Sequence, residues 1–256
     1  MLAIAPAPNE VSRSRMMSTS YPFKPIVRDG LVLYLDATNS KSYPGSGSIW
    51  YDLSESHADI SLSGTPNFDG KSFNFDGVDD YGVTTVDLTS GTNDFTVSVW
   101  ATTNTTSGNK YLSDFGANGG AIAIGTDVSQ SIRYYNATAG IGDGPGGTID
   151  LVFDGPNIYD PLNSKYIGGI NTWFNIVYSR SSGVGSIYAN GINYVSASDG
   201  GNIGSWGTNF SIGRYGGGGY YWMGSISNVM VYKNKGLNQT EVLQNYNALK
   251  NRYTQW

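Results

Sequence analysis

The chain has 256 residues, no cysteine and a formal net charge of −5, with 39% hydrophobic and 13% aromatic residues. Disorder needs low hydrophobicity with high net charge, so most of this chain folds, and Glu, Lys and Leu are too scarce for a coiled coil. Missing cysteine excludes disulfides, thiolate metal sites and Cys nucleophiles; the acidic balance argues against general nucleic-acid binding, and no apolar run is long enough for membrane insertion.

Residues 1–28 carry Arg13, Arg15, Lys24 and Arg28 against the single acid Glu10. Pro6, Pro8, Pro22 and Pro25 forbid a long helix there. The segment reads as an extended basic arm, either a disordered tail or a tether laid on an acidic partner. Its opening lacks a basic start, and Pro6 and Pro8 break the apolar stretch, so no secretory signal is expected.

From Asp29 the pattern becomes short strands between turn clusters. The segments that read as strands are Leu31–Asp36, Ser72–Asp76, Tyr81–Val86, Phe95–Ala101, Tyr111–Phe115, Ala121–Thr126, Ile132–Tyr135 and Ile149–Phe153. They continue with Thr172–Ser179, Ser186–Ala189, Ile192–Ser196, Phe210–Gly213 and Gly224–Tyr232. Phe95, Val97 and Val99 alternate with Thr96 and Ser98, and Phe174, Ile176 and Tyr178 with Asn175, Val177 and Ser179. That period of two marks β-structure. Asn190-Gly191 predicts a type I′ hairpin, whose two central residues need positive φ. Residues 139–170 are rich in Gly and Pro and read as a loop-rich insertion. One helix is expected at the C-terminus: Asn238 and Glu241 make a capping box, Leu237 and Val242 a staple, and Val242, Tyr246, Leu249 and Tyr253 an apolar stripe. Short strands with frequent turns predict an all-β sandwich or barrel.

Five blocks in order resemble laminin-G-like modules of the concanavalin A-like lectin/glucanase superfamily. They are Gly30–Ala37 with Trp50–Ser54, Phe73–Tyr81, Asp94–Trp100, Trp173–Gly191, and Met223–Tyr232 followed by Leu237–Glu241. The resemblance covers about residues 30–253 and implies a two-sheet antiparallel jelly roll over 29–256. The Ser42-Tyr-Pro-Gly-Ser-Gly47 stretch and the Asn245–Tyr253 ending are similar to proteins of tailed phages, cyanophages especially. There such modules are virion surface components: head decorations, fibres or adhesins.

Chemistry follows from what is present. Jelly-roll glycosidases need two facing carboxylates, and the resembling hydrolases carry Glu-x-Asp-x-x-Glu on one strand. Here Glu10, Glu55 and Glu241 are the only glutamates and none lies in that pattern; Asp76 with Asp80 and Asp150 with Asp154 run into glycine turns. The one histidine, His57, sits in a polar turn. Gly142–Gly147 spells G-x-G-x-x-G but precedes a strand, so no helix N-terminus is there to hold phosphate. Catalysis is not expected.

Binding is. Asp76, Asp79 and Asp80 cluster around Gly77, and with Asn228 they form a candidate Ca²⁺ site, since Ca²⁺ takes six to eight oxygen ligands. Related modules hold Ca²⁺ at a sandwich rim. The alternative is a turn in which the carboxylates cap backbone N–H groups. Trp206, Arg214, Tyr215, Tyr220 and Tyr221 surround a run of four glycines. They are candidates for carbohydrate binding, because rings stack on pyranose faces while polar groups bond hydroxyls; the alternatives are core packing and subunit contact. Together these features describe a non-catalytic phage virion surface protein (capsid decoration, head fibre or tail fibre) that grips host or environmental glycans. The arm of Arg13, Arg15, Lys24 and Arg28 would tether it to capsid, fibre or baseplate proteins, with homo-oligomers as a further contact. A purely structural subunit is the main alternative and a glycanase the remote one.

Overall fold

The computed structural model describes residues 24–84, 86–87, 94–105, 110–115, 120–125, 131–136, 150–154, 157–160, 165–198, 209–216 and 218–253. For 120–125, 131–136, 150–154, 157–160, 165–167 and 197 the description covers the backbone alone. Arg13, Arg15, Trp206 and the Gly142–Gly147 loop lie outside the described residues.

Eighteen strands and one α-helix are described. In chain order they begin with β1 (Leu31–Asp36), β2 (Ile49–Trp50), β3 (Ile60–Ser63), β4 (Asn67–Phe68), β5 (Phe73–Asp76) and β6 (Tyr81–Thr84). Next come β7 (Phe95–Ala101), β8 (Lys110–Asp114), β9 (Gly120–Gly125), β10 (Ser131–Asn136), β11 (Asp150–Asp154), β12 (Asn157–Asp160) and β13 (Lys165–Gly169). The chain closes with β14 (Phe174–Ser181), β15 (Val184–Ala189), β16 (Ile192–Ser198), β17 (Phe210–Ile212), β18 (Met223–Lys233) and helix α1 (Gln239–Leu249).

Two antiparallel sheets result. One runs β16-β15-β14-β7-β18-β5-β4 with β1 added to β18, and the other runs β13-β12-β11-β10-β9-β8-β17-β6-β3-β2. Each segment expected as a strand contains one among the described residues, with ends that differ by a residue or two. The stretch read as a loop-rich insertion differs in part: its described residues form β11, β12 and β13, hairpin-paired strands that extend the second sheet beyond β10.

The main core lies between the sheets, where Leu33, Leu35, Phe73, Phe75, Val97, Val99, Ile176 and Tyr178 meet Trp50, Ile60, Phe210 and Ile212. Alternation places the opposite residues of β7 and β14 on the outer face, yet they are buried too. The reason is α1 and the chain leading into it. Thr96 Oγ1 accepts from the Leu237 N–H at 2.8 Å, and Ser179 Oγ donates to the Leu237 carbonyl at 2.8 Å. A second core of Tyr34, Trp100, Val177, Met230 and Tyr232 then packs under Val242, Leu249 and Tyr253. The capping box forms as expected, with Asn238 accepting from the Thr240 and Glu241 N–H groups and Glu241 accepting from Asn238 N–H at 3.0 Å. At the β15–β16 hairpin, Asn190 and Gly191 have φ of 50° and 80°. A Cβ on Gly191 would meet Tyr246 at 2.9 Å, so helix packing and turn geometry both require glycine there.

The last residues of the basic arm belong to this body. Ile26 is buried in the second core, Val27 N–H donates to Asn245 Oδ1 at 2.8 Å, and Gln244 Nε2 donates to the Pro25 carbonyl at 2.6 Å. Arg28 lies 5.5 Å from the Tyr34 ring centre, while Lys24 is exposed. The jelly roll therefore starts near residue 25 rather than Asp29.

Candidate functional site

At one end of the sandwich the β5–β6 turn, the β17–β18 loop and the start of β8 meet. Asp76 ends β5 opposite Met223 of β18. Gly77, at φ 82°, then turns the chain so tightly that a Cβ would sit 3.0 Å from that of Met223. Asp76 Oδ1 accepts from the Val78 N–H at 2.8 Å, and Asp80 Oδ2 accepts from the Asp76 N–H at 3.0 Å. Oxygens of Asp76, Asp79 and Asp80 all lie within 4.8 Å of one another. Burial pushes the Asp80 carboxyl above the ordinary range; the Asp76 N–H opposes this, and the charges of Asp76 and Asp79 add to it. Lys110, the first residue of β8, donates from Nζ to the Gly77 carbonyl at 3.4 Å.

The β17–β18 loop is built from glycine and tyrosine. Gly216 N–H donates to Asp114 Oδ2 at 3.1 Å, Gly218 N–H to the Tyr215 carbonyl at 2.9 Å and Tyr215 N–H to the Gly219 carbonyl at 3.2 Å. Gly218 and Gly219 adopt φ of 93° and 84°, which L residues with side chains avoid. Tyr220 follows at φ 52°, left-handed itself, and its carbonyl accepts from the Tyr111 N–H at 3.0 Å. The loop thereby gathers three rings: Tyr111 to Tyr215 at 5.1 Å, Tyr111 to Tyr220 at 5.6 Å and Tyr215 to Tyr220 at 6.1 Å. Tyr220 is 51% exposed, and Val78 and Met223 are exposed apolar neighbours on the same rim. Arg214 lies over Tyr81, its guanidinium carbon 3.5 Å from the ring centre, and the Tyr221 ring lies 6.4 Å from that of Tyr81. Trp222 alone turns inward, fully buried, and donates from Nε1 to the Thr102 carbonyl.

Two sequence-predicted groups therefore share one rim: Arg214, Tyr215, Tyr220 and Tyr221 on one side, Asp76, Asp79 and Asp80 on the other. Asn228 does not join them. It lies five residues further along β18 than Met223, about 16 Å away, opposite Asp36 and Trp100. A register shift between Ile226 and Asn228 turns it toward the outer core, where it is fully buried and neither amide atom makes a hydrogen bond. Bound through one oxygen each, three carboxylates supply about half of the six to eight ligands that Ca²⁺ takes, and two of their oxygens already hold backbone N–H groups. The residues fit a self-bonded acidic turn better than a calcium cage. Tyr81, Tyr111 and Met223 are rim residues that sequence reasoning missed; each reaches the rim only through strand pairing.

Neither of the carboxylate pairs weighed from the sequence is a facing pair. Asp76, Asp79 and Asp80 approach from a single turn, so they cannot flank a bond. Asp150 and Asp154 stand at the two ends of β11 rather than in glycine turns, with Cα atoms about 13 Å apart, beyond the roughly 5–9.5 Å of glycosidase pairs. Glu241 is tied to the helix cap and to Lys235 at 2.7 Å, Glu55 is exposed, and His57 is an exposed turn residue at φ 51°.

Comparison with known proteins places this architecture. Solved structures of similar fold include the botulinum neurotoxin type G receptor binding domain, at 16% identity and a TM-score of 0.61 over 86% of this chain and 51% of that one. A botulinum neurotoxin type C structure, whose cell entry depends on interaction with two ganglioside molecules, matches at 14% identity and a TM-score of 0.61 over 87% and 52%. Trypanosoma rangeli sialidase in complex with sialic acid matches at 17% identity and a TM-score of 0.55 over 87% and 33%. The chain thus spans about half of the toxin domains and a third of the sialidase, and at these identities the likeness is one of fold. No curated protein sequence matches the chain. A laminin-G-type family model, described as the concanavalin A-like lectin/glucanases superfamily, matches residues 76–243, more than half of the sequence. With its two antiparallel sheets and lectin-like neighbours, the chain belongs to the concanavalin A-like lectin/glucanases superfamily.

Proposed function

We propose that this protein is a non-catalytic glycan-binding module that acts on the surface of a phage particle. One observation carries the binding half: the rim holds the exposed ring of Tyr220 beside Tyr111 and Tyr215, with Arg214 next in sequence, on a loop where a Cβ at Gly218 or Gly219 would meet nothing within 4 Å. Exposed rings bordered by polar groups suit pyranose faces. Structural neighbours that engage gangliosides or sialic acid support the same reading. The non-catalytic half is supported by carboxylates that cluster on one turn. The virion placement draws support from the sequence similarity to tailed-phage proteins and from the basic arm. Many weak sites on one particle would supply adhesion through avidity.

Multivalent display of the protein on a glycan array tests the reading. Retention that is lost in Tyr215→Ala/Tyr220→Ala supports it. No retained sugar at high valency, with self-association or capture of particle proteins through Val78 and Met223, would favour the purely structural subunit. Removing residues 1–23, which leaves the docked Ile26–Arg28 stretch intact, tests the tether; unchanged incorporation into particles refutes it.

A further inference from the structure

We infer that the rim selects sugars carrying a carboxylate and that Arg214 is the residue that reads it; this deepens, and rests on, the glycan reading above. The guanidinium of Arg214 is pinned 3.5 Å over Tyr81. It has no ion-pair partner among the described residues, and its buried Nε makes no hydrogen bond. Arg252 and Lys235, by contrast, are paired: Arg252 holds Asp36 at 2.6 Å, and Lys235 holds Asp29 and Glu241.

A guanidinium stacked on an aromatic ring loses one face to the ring but keeps its edge donors, which match a planar carboxylate in a two-pronged bond. The neighbouring residue is Tyr215, so a pyranose on the tyrosines of the loop brings its ring substituents within reach of that edge. Asp76 and Asp79, both exposed, border the opposite side of the rim and repel an anion placed there. The acidic group is thereby directed toward Arg214. The protein's net charge of −5 gives polyanions no general attraction, so any preference for acids must be local.

The test compares acidic and neutral probes of matching shape on a dense surface: polygalacturonate against its methyl ester, and sialyllactose against the methyl ester of its sialyl carboxylate. The expected result is retention of at least one acid about tenfold above its neutral counterpart, weakening as salt rises. Arg214→Gln should abolish that ratio, Arg214→Lys should keep only part of it, and Tyr220→Ala should weaken both members of a pair alike. Melting curves confirm that each variant folds, and the lysine variant decides if the glutamine variant does not. Equal retention of acid and neutral probes, or discrimination that survives Arg214→Gln, overturns the inference while leaving glycan binding intact. Dextran sulfate, which carries no carboxylate, retained as strongly as the carboxylates makes the site a general anion site and also overturns it. No probe retained at all overturns the glycan reading and this inference with it.

Discussion

The outer face of the first sheet and the rim use the same residue types to opposite ends. Under α1, Tyr34, Tyr232 and Tyr253 are buried; burial raises each hydroxyl pKa, that of Tyr34 to about 12 with Asp36 adding to the effect. Their hydroxyls are bound to Asp36, to the Val27 carbonyl and to Ser227. On the rim, Tyr220 presents its ring to solvent on a backbone that glycines hold in left-handed conformations. Buried tyrosines with bound hydroxyls stabilise; exposed ones in strained loops are kept for contact. Changes under the helix should therefore move melting and leave binding alone, and changes on the rim should do the reverse.

The largest effect expected is at Trp100. Tyr253 stacks on it at 4.0 Å and Tyr246 at 5.4 Å. Trp100→Ala empties the space under the C-terminal turn, a loss of about 3–5 kcal/mol, which for a domain of this size lowers Tm by about 10 °C. Glycan retention measured well below the new Tm should be unchanged. Asn228→Leu is next and opposite in sign. Both amide atoms of Asn228 are buried without hydrogen bonds, and each unsatisfied group costs about 1–3 kcal/mol. The isosteric apolar residue should raise Tm by several degrees, read by calorimetry. A fall instead would show that the amide is satisfied in solution and that the outer core tolerates no change there.

Much of this fold was legible in the chain. Period-two alternation marked β7 and β14, Asn190-Gly191 marked a hairpin, and Asn238 with Glu241 marked the helix start. The short strands β2 and β4, two residues each, leave no periodic trace, and serine and glycine dilute the pattern of β3. Strands β12 and β13 were hidden by the surrounding Gly and Pro. Ile26 and Val27 lie between prolines and basic residues, too short a pair to announce a buried face. The rim was half legible: the Arg214–Tyr221 cluster is contiguous, but its meeting with Tyr111 and the acidic turn depends on the pairing of β8 with β17 and of β5 with β18, strands far apart in the chain. Asn228 was misplaced because it stands five residues along β18 from the rim, and a register shift turns it to the outer face as well.

On the rim, Tyr220→Gly separates contact from stability most cleanly. At φ 52° the tyrosine is in a conformation that disfavours side chains by about 1–2 kcal/mol, whereas glycine adopts it freely but gains freedom in the unfolded chain. The two terms nearly cancel, so Tm should move by no more than about 2 °C. Retention on glycans should fall about tenfold if the ring is the contact surface. A large drop in Tm would mean that the ring is packing, not presenting.

The acidic turn should show the smallest changes. Because the folded environment raises the Asp80 carboxyl pKa, its ionised form is disfavoured in the native state. That penalty is absent below the ordinary carboxylate range and sets in as pH rises through the raised value. Asp80→Asn, whose amide oxygen can still accept the Asp76 N–H, should raise Tm slightly at pH 7 and not at pH 3. Calcium should do less still. A site with millimolar affinity would, at 10 mM Ca²⁺, stabilise the native state by about 1.4 kcal/mol, a rise in Tm of about 3–6 °C. With Asn228 facing the outer core and two carboxylate oxygens held by backbone N–H groups, no such rise is expected. Calcium and chelator should give melting curves that coincide within about 1 °C. A larger rise that Asp76→Asn removes would mean that water and backbone oxygens complete a shell around the turn, and that the rim binds its ligands beside a cation.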